Sequence, residues 1–244
     1  MSCPRCGAPA APGQTQCDRC VAVFAADDAQ VPTESLGRRV LDALLYVPPH
    51  VNRMNWAGRA AVLALLVPWG AWFISRGVDF EVLNGSFLHR VDLAFHEFGH
   101  LVFTPLGRFM MFLGGSLFQL LVPGVLAVAF VFGQRNPFGA AVCTWWLGQS
   151  LLDLAPYVDD ARSLAMPLIG EWSDEALEAR AARHDWHNIL STLGWLRRDH
   201  SLAKVVFAAG CALMVVGCAW GGWILYRQWS RRSDALLEEP DLHR

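Results

Sequence analysis

The sequence predicts an all-α membrane protein: a polytopic transmembrane helix bundle of about five spans, with a small zinc ribbon at its amino terminus. Three observations predict it. The 244 residues are 54% hydrophobic and only 17% charged, with a mean hydropathy of +0.29, which is too apolar for an average soluble domain. Long uncharged runs recur at the length a bilayer core requires, roughly 17 to 25 residues of helix. Four of the seven cysteines fall within the first twenty residues. A net charge of −2 gives no reason to expect nucleic acid as a partner.

The ribbon is expected over residues 1–24. "CPRCGAPAAPGQTQCDRC" sets Cys3 with Cys6 and Cys17 with Cys20 as two CxxC pairs. Each CxxC turn can offer two thiolates to one tetrahedral zinc, and two turns close a four-sulfur structural site. The alternative for these cysteines is disulfide pairing. No leader-like stretch precedes Cys3, and thiolates need a reducing compartment, so the ribbon is expected to face the cytoplasm. Cys143, Cys211 and Cys218 stand singly in apolar runs and read as small core residues.

Residues 25–56 read as a polar linker and a juxtamembrane helix. "SLGRRVLDALLYV" carries Leu36, Val40, Leu44 and Val47 at helical spacing before the prolines at 48 and 49. That helix suits either a lipid surface or packing against the bundle.

The bundle is expected over 57–227, followed by a polar tail at 228–244. Four uncharged runs, 60–75, 109–133, 136–152 and 205–226, read as spans. A fifth, weaker one at 86–106 carries Asp92, His96, Glu97 and His100. With five spans the polar 158–204 loop lies inside and the tail outside. Arg227, Arg231 and Arg232 in that tail conflict with the positive-inside rule. A re-entrant 86–106 segment would move the tail inside and the loop outside.

The chemistry centres on "HEFGH". Positions i and i+4 share a helix face, so His96 and His100 can offer two imidazoles to one metal, with Glu97 beside them as a base for a water. Each ionisable residue at the centre of a membrane helix costs roughly 2.5–3.5 kcal/mol, so this cluster needs a reason, and a metal supplies one. The plainer alternative is a pair of histidines satisfied by backbone or by Gln119. A catalytic zinc wants a third protein ligand and an open position. Carboxylates near the spans are few, and "QSLLDLAPYVDDARSL" ends the fourth run with Asp153, Asp159 and Asp160.

At this point the chain resembles the site-2 protease group of integral-membrane zinc metallopeptidases. In that group an HExxH helix pairs with a later helix ending in an aspartate motif of the type "NxxPxPxLDGGR". Here "LAPYVDDAR" keeps Pro156, an aliphatic residue before the first aspartate, and Arg162, but lacks the LeuAspGly core. The resemblance implies a zinc peptidase acting on a membrane-embedded or membrane-adjacent protein substrate. It implies His96, His100 and one aspartate as ligands and Glu97 as the catalytic base. Alignment on the arginine favours Asp159. Asp160 is preferred here, because Asp159 sits nearer the helix end and can cap or pair with Arg162. Two zinc ions follow, one catalytic and one structural.

Other features are weighed beside these. "ARHDWHNIL" offers His184, Asp185 and His187 on a loop helix, as an accessory metal site or as a cover over the active site that packs Trp186. Gly114, Gly115 and Ser116 allow close helix packing or room for a substrate strand. The competing function is a non-catalytic membrane adaptor whose ribbon holds a protein partner.

Overall fold

The computed structural model describes residues 2, 3, 6–9, 35–168 and 176–233. These divide into two compact units, Met1–Asp42 and Ala43–Arg244. In the first unit the Gly7 N–H donates to the Cys3 carbonyl at 2.9 Å, the Cys3 N–H donates to the Ala8 carbonyl at 2.8 Å, and Ser2 bridges Pro9. Gly7 turns the chain at φ 71°, a left-handed value that glycine takes without strain. Cys3 is buried and Cys6 exposed. Cys17 and Cys20 lie outside the described residues. Helix α1 (Leu36–Leu44) falls where the apolar spacing predicted it.

The second unit is a helical bundle. Helix α2 (Arg53–Arg76) starts at Asn52, whose side chain accepts the Met54 N–H at 2.7 Å. Short α3 (Phe80–Asn84) is capped by Asp79, and α4 (Phe87–Phe103) by Ser86. Pro105 and Gly107 break the chain between α4 and α5 (Arg108–Val128), which runs on through a π-turn at Ala129–Gly133. Helix α6 (Pro137–Asp159) has Pro137 at its first turn and Asn136 as cap. Helices α7 (Leu177–Arg183) and α8 (Asp185–Thr192) lead to α9 (Asp199–Trp229).

Among the described residues, three segments are long and apolar enough to cross a membrane: Arg53–Arg76, Arg108–Gly133 and Leu196–Trp229. Helix α6 has the length but not the apolarity, and its burial explains why: 14 of its 23 residues are buried, including Gln149 and Ser150. A helix walled in by protein need not meet the hydropathy that lipid demands. It packs antiparallel to α9 along a seam of small residues. A Cβ on Gly148 would lie 2.6 Å from the Gly210 carbonyl, and one on Gly217 2.8 Å from the Ala141 carbonyl, so the two backbones touch. Trp145, Phe73, Leu152 and Met214 fill the core beside this seam.

The ends of the bundle bear on the expected span count. Strand β1 (Val51–Asn52) pairs in parallel with β2 (Arg232–Ser233). The Trp56 indole donates to the Leu225 carbonyl at 3.0 Å. The beginning of α2 and the end of α9 therefore share one end of the bundle, so the chain between them traverses it an even number of times. Helices α2, α5, α6 and α9 account for four traverses. Helix α4 begins beside Asp153 and ends with Phe103 against Gly114. Both contacts lie in the half of the bundle that holds the α6–α9 connection. At 17 residues it is about 26 Å long, short of a bilayer core of about 30 Å. Five full traverses are thus not made, and the segment carrying the histidines enters the bundle and stays in one half.

Candidate metal centre

Helix α4 puts His96 and His100 on the face that meets α5, and glycines set how close the two helices come. A Cβ at Gly99 would collide with the Gly114 carbonyl, and one at Gly115 would lie 2.6 Å from His96 Nε2 and 2.7 Å from His100 Nε2. The bare backbone of Gly115 is a cradle for the two imidazoles. This gives "GGS" a physical role: Gly114 admits α4, Gly115 admits the rings, and the Ser116 hydroxyl accepts from Trp186 Nε1 at 3.1 Å.

Each ring is oriented from behind. His100 Nδ1 lies 2.7 Å from the Met111 carbonyl, which can only accept, so this nitrogen carries the proton. His96 Nδ1 lies 3.1 Å from Gln119 Oε1. The Gln119 amide cannot be reversed without loss, because its nitrogen donates to the Ser150 carbonyl and to Asp153 Oδ2, each at 3.3 Å. Asp153 in turn holds His89 Nδ1 at 2.9 Å. With Nδ1 protonated on each ring, Nε2 is the nitrogen left to present a lone pair to a cation at the centre.

What they face is a third acceptor. Asp185 Oδ2 lies 3.0 Å from His96 Nε2 and 3.3 Å from His100 Nε2. The three ligand-capable atoms lie within 4.8 Å of one another. Three converging lone pairs with no hydrogen among them are unstable unless a cation or added protons sit between them. The donor set, two imidazoles and a carboxylate with outer partners fixing each ring, is one that suits zinc. Asp185 is further held by Tyr157, whose hydroxyl donates to Oδ2 at 3.2 Å and accepts the Asp185 N–H at 3.1 Å. Where added protons on Nε2 take the place of a cation, the imidazoles donate to Asp185; burial alone would raise its carboxyl, but those hydrogen bonds, from His100 and His96, outweigh it and hold it below the usual carboxylate range.

The aspartates expected from "VDDAR" go elsewhere. Asp160, preferred as third ligand, closes α6 and spends its carboxylate on the turn that follows, accepting from Ser163 Oγ at 2.6 Å and from the Ala165 and Met166 N–H groups at 2.8 and 3.0 Å. Asp159 meets His200 Nδ1 at 2.7 Å. Neither reaches the histidines, because at the helix end their side chains turn toward the loop and α9. The expected set of His96, His100 and Asp160 is therefore not assembled, and Asp185, named beforehand only as accessory, stands in that place. His184 and His187 do not join it: His184 Nδ1 caps α8, and His187 Nδ1 donates to the Ala161 carbonyl at 2.8 Å.

Around the triad lies a cavity of about 680 Å³, lined by Glu97, His89, Arg108 and Tyr157 and by apolar side chains including Phe80, Leu93 and Phe112. Glu97 makes no hydrogen bond among the described residues, so its carboxylate is available to the cavity. Asp92, counted with the ionisable cluster from sequence, is buried apart from it, accepting from Trp146 Nε1 at 2.9 Å and Ser150 Oγ at 3.2 Å. His89 and Tyr157 were not singled out as site residues, and Asp153 was named only as one of three carboxylates ending the fourth run. Their signal was nonetheless present, since Gln149, Asp153 and Tyr157 recur at four-residue intervals on one face of an otherwise apolar helix. Compared with protein-family models, with curated proteins and with solved structures, the chain matches none of them.

Proposed function

We propose that this chain is an integral-membrane zinc metallopeptidase that hydrolyses peptide bonds of a membrane-embedded or membrane-adjacent protein, with His96, His100 and Asp185 as ligands and Glu97 as base. The observation that carries this reading is the convergence of three lone-pair donors, each fixed from behind, on one point in the wall of a cavity that also holds a carboxylate without a hydrogen-bond partner among the described residues. A zinc ion held by His96, His100 and Asp185 would lower the pKa of a water toward neutrality and polarise a carbonyl oxygen. Glu97 takes the proton of the attacking water and returns it to the departing amine nitrogen as the carbon–nitrogen bond breaks. Gln119 and the Met111 carbonyl keep both imidazoles in the tautomer that ligation needs. The apolar walls, Phe80, Leu93 and Phe112 among them, suit an aliphatic or aromatic stretch of substrate.

For topology, four crossings by α2, α5, α6 and α9 with α4 re-entrant agree with the β1–β2 pair and with the length of α4. They put Arg227 and Arg231 on the side of Arg53, and Arg162, Arg180, Arg183, Arg197, Arg198 and Lys204 on the opposite side, where the cavity lies.

The test is metal content together with cleavage. Detergent-purified protein is expected to hold a zinc that is lost on His96→Ala or Asp185→Ala and kept on Glu97→Gln, which in turn abolishes cleavage of a co-expressed membrane substrate. An unchanged metal content in His96→Ala sinks the peptidase reading and leaves the adaptor.

A further inference from the structure

The residue that completes the centre, Asp185, does not come from the membrane helices that carry its partners. It comes from the α7–α8 arm, and the seat of that arm is built on Asp160. By accepting the Ala165 and Met166 N–H groups and the Ser163 hydroxyl, the Asp160 carboxylate folds residues 160–166 into a compact turn. Within it Leu164 holds a left-handed φ of 49°, a conformation a leucine keeps only when its surroundings over-determine it.

The arm docks on this turn through several contacts. The Arg180 guanidinium donates to the Met166 carbonyl at 2.8 Å, and His187 Nδ1 to the Ala161 carbonyl at 2.8 Å. His184, the residue immediately before Asp185, is 1% exposed. Its Nδ1 accepts the His187 N–H at 3.2 Å to cap α8, so the proton of the ring is on Nε2. That nitrogen makes no hydrogen bond among the described residues and lies 3.4 Å from Asp160 Oδ2, long for a hydrogen bond but within ion-pair range. A buried N–H needs a partner, and a carboxylate is the strongest available.

We infer that Asp160 and His184 are positioning residues, a clamp that seats the α7–α8 arm so that the Asp185 carboxylate meets His96 and His100, and that the bound metal and the docked arm stabilise each other. This rests on the metal reading of the triad. Linkage makes the effect reciprocal: whatever factor the clamp adds to metal affinity, the metal adds to arm docking.

The experiment uses the full chain in detergent, with Zn²⁺ affinity from chelator competition, the visible spectrum of Co²⁺ at saturation, and trypsin cleavage at Arg180 and Arg183 with Zn²⁺ or with chelator. His184→Asn keeps an oxygen that can cap α8 but removes the N–H aimed at Asp160; Asp160→Asn attacks the clamp from the other side. Both are expected to bind Zn²⁺ about 10–100-fold more weakly than the parent chain, the range for removing an outer partner of a metal ligand. Both should keep the parent Co²⁺ spectrum once saturated, whereas Asp185→Asn changes it. Zn²⁺ should slow trypsin cleavage of the parent and do so less in His184→Asn. Parent-like Zn²⁺ affinity in His184→Asn overturns the inference while leaving the triad intact. A Co²⁺ spectrum altered in Asp160→Asn overturns it by making Asp160 a ligand. Equal affinity in the parent and His96→Ala removes the metal reading itself, and the clamp with it.

Discussion

Gly115→Ala probes the centre most directly, because it adds one methyl group and removes no ligand. Built on the native backbone, the new Cβ would lie 2.6 Å from His96 Nε2 and 2.7 Å from both Cε1 and Nε2 of His100, where ordinary contact begins near 3.4 Å. The rings must therefore retreat by roughly 0.7–0.8 Å. Metal–ligand distances tolerate only about ±0.2 Å, so both imidazoles leave ligating position together. Overpacking of this kind costs about 1–3 kcal/mol of stability, offset in part by the better helix propensity of alanine, worth about 1 kcal/mol. The folded protein should survive while Zn²⁺ affinity falls at least about 100-fold, the upper end for disturbing a ligand's support. Gly124→Ala on the same helix is the control: nothing lies within 4 Å of its added Cβ, and its Zn²⁺ affinity should match the parent. Chelator competition on the two variants, with melting temperatures measured alongside, checks this. A Gly115→Ala protein that binds Zn²⁺ like the Gly124→Ala control would refute the placement of the rings against α5.

Further predictions concern the partners and the frame. Gln119→Leu removes the acceptor behind His96 and should weaken Zn²⁺ binding about 10–100-fold, read by the same competition assay. Asp159→Asn, whose carboxylate meets only the exposed His200, should leave metal content unchanged by elemental analysis. Gly148→Leu drives a side chain into the Gly210 carbonyl and Met214, and should abolish folding or lower the melting temperature sharply. For pH, burial works against ionised Asp160, but His184, Ser163 and two backbone amides outweigh it and keep its pKa below the ordinary value near 3.8. A depressed carboxylate contributes stability that is present above its unfolded pKa and is lost as pH falls through the native one. Cleavage of the arm by pepsin, which works in acid and so reads each sample at its own pH, should therefore rise only as the pH falls below about 4. For topology, cysteines introduced at His50 and at Ser230 should label from the same side of a sealed vesicle, because the start of α2 and the end of α9 share one end of the bundle; labelling from opposite sides would refute four crossings.

Much of the frame was legible along the chain. Helices α2, α5 and α9 announce themselves because lipid-facing positions must be apolar nearly without interruption, and that requirement is written in consecutive residues. His96, Glu97 and His100 could be grouped because four-residue spacing on one helix is a local geometric fact. Gln119 was visible as a possible partner of the histidines for the same class of reason: a lone amide in an apolar run needs something to bond.

The third carboxylate was not legible in this way. Asp159 and Asp160 were attractive because they end a membrane helix near the expected depth. Which carboxylate reaches two imidazoles depends on how the chain returns after that helix, and Asp160 is consumed by the amides of its own turn. Likewise the run at 136–152 reads as a span, yet α6 is not among the described helices apolar enough to cross a membrane, because its polar face looks into the protein; the weaker run at 86–106 reads as a span although α4 is only 17 residues long.

What the sequence alone determined, then, is a helical frame with segments long and apolar enough to cross a membrane, and a two-histidine face with a glutamate beside it, since both are written within single segments. Only the tertiary structure decided that Asp185 meets those histidines across 89 residues of chain, that Gly115 makes room for them, and that the two ends of the bundle coincide. Those are relations between segments distant in sequence, and they are set by packing and by where the chain turns back.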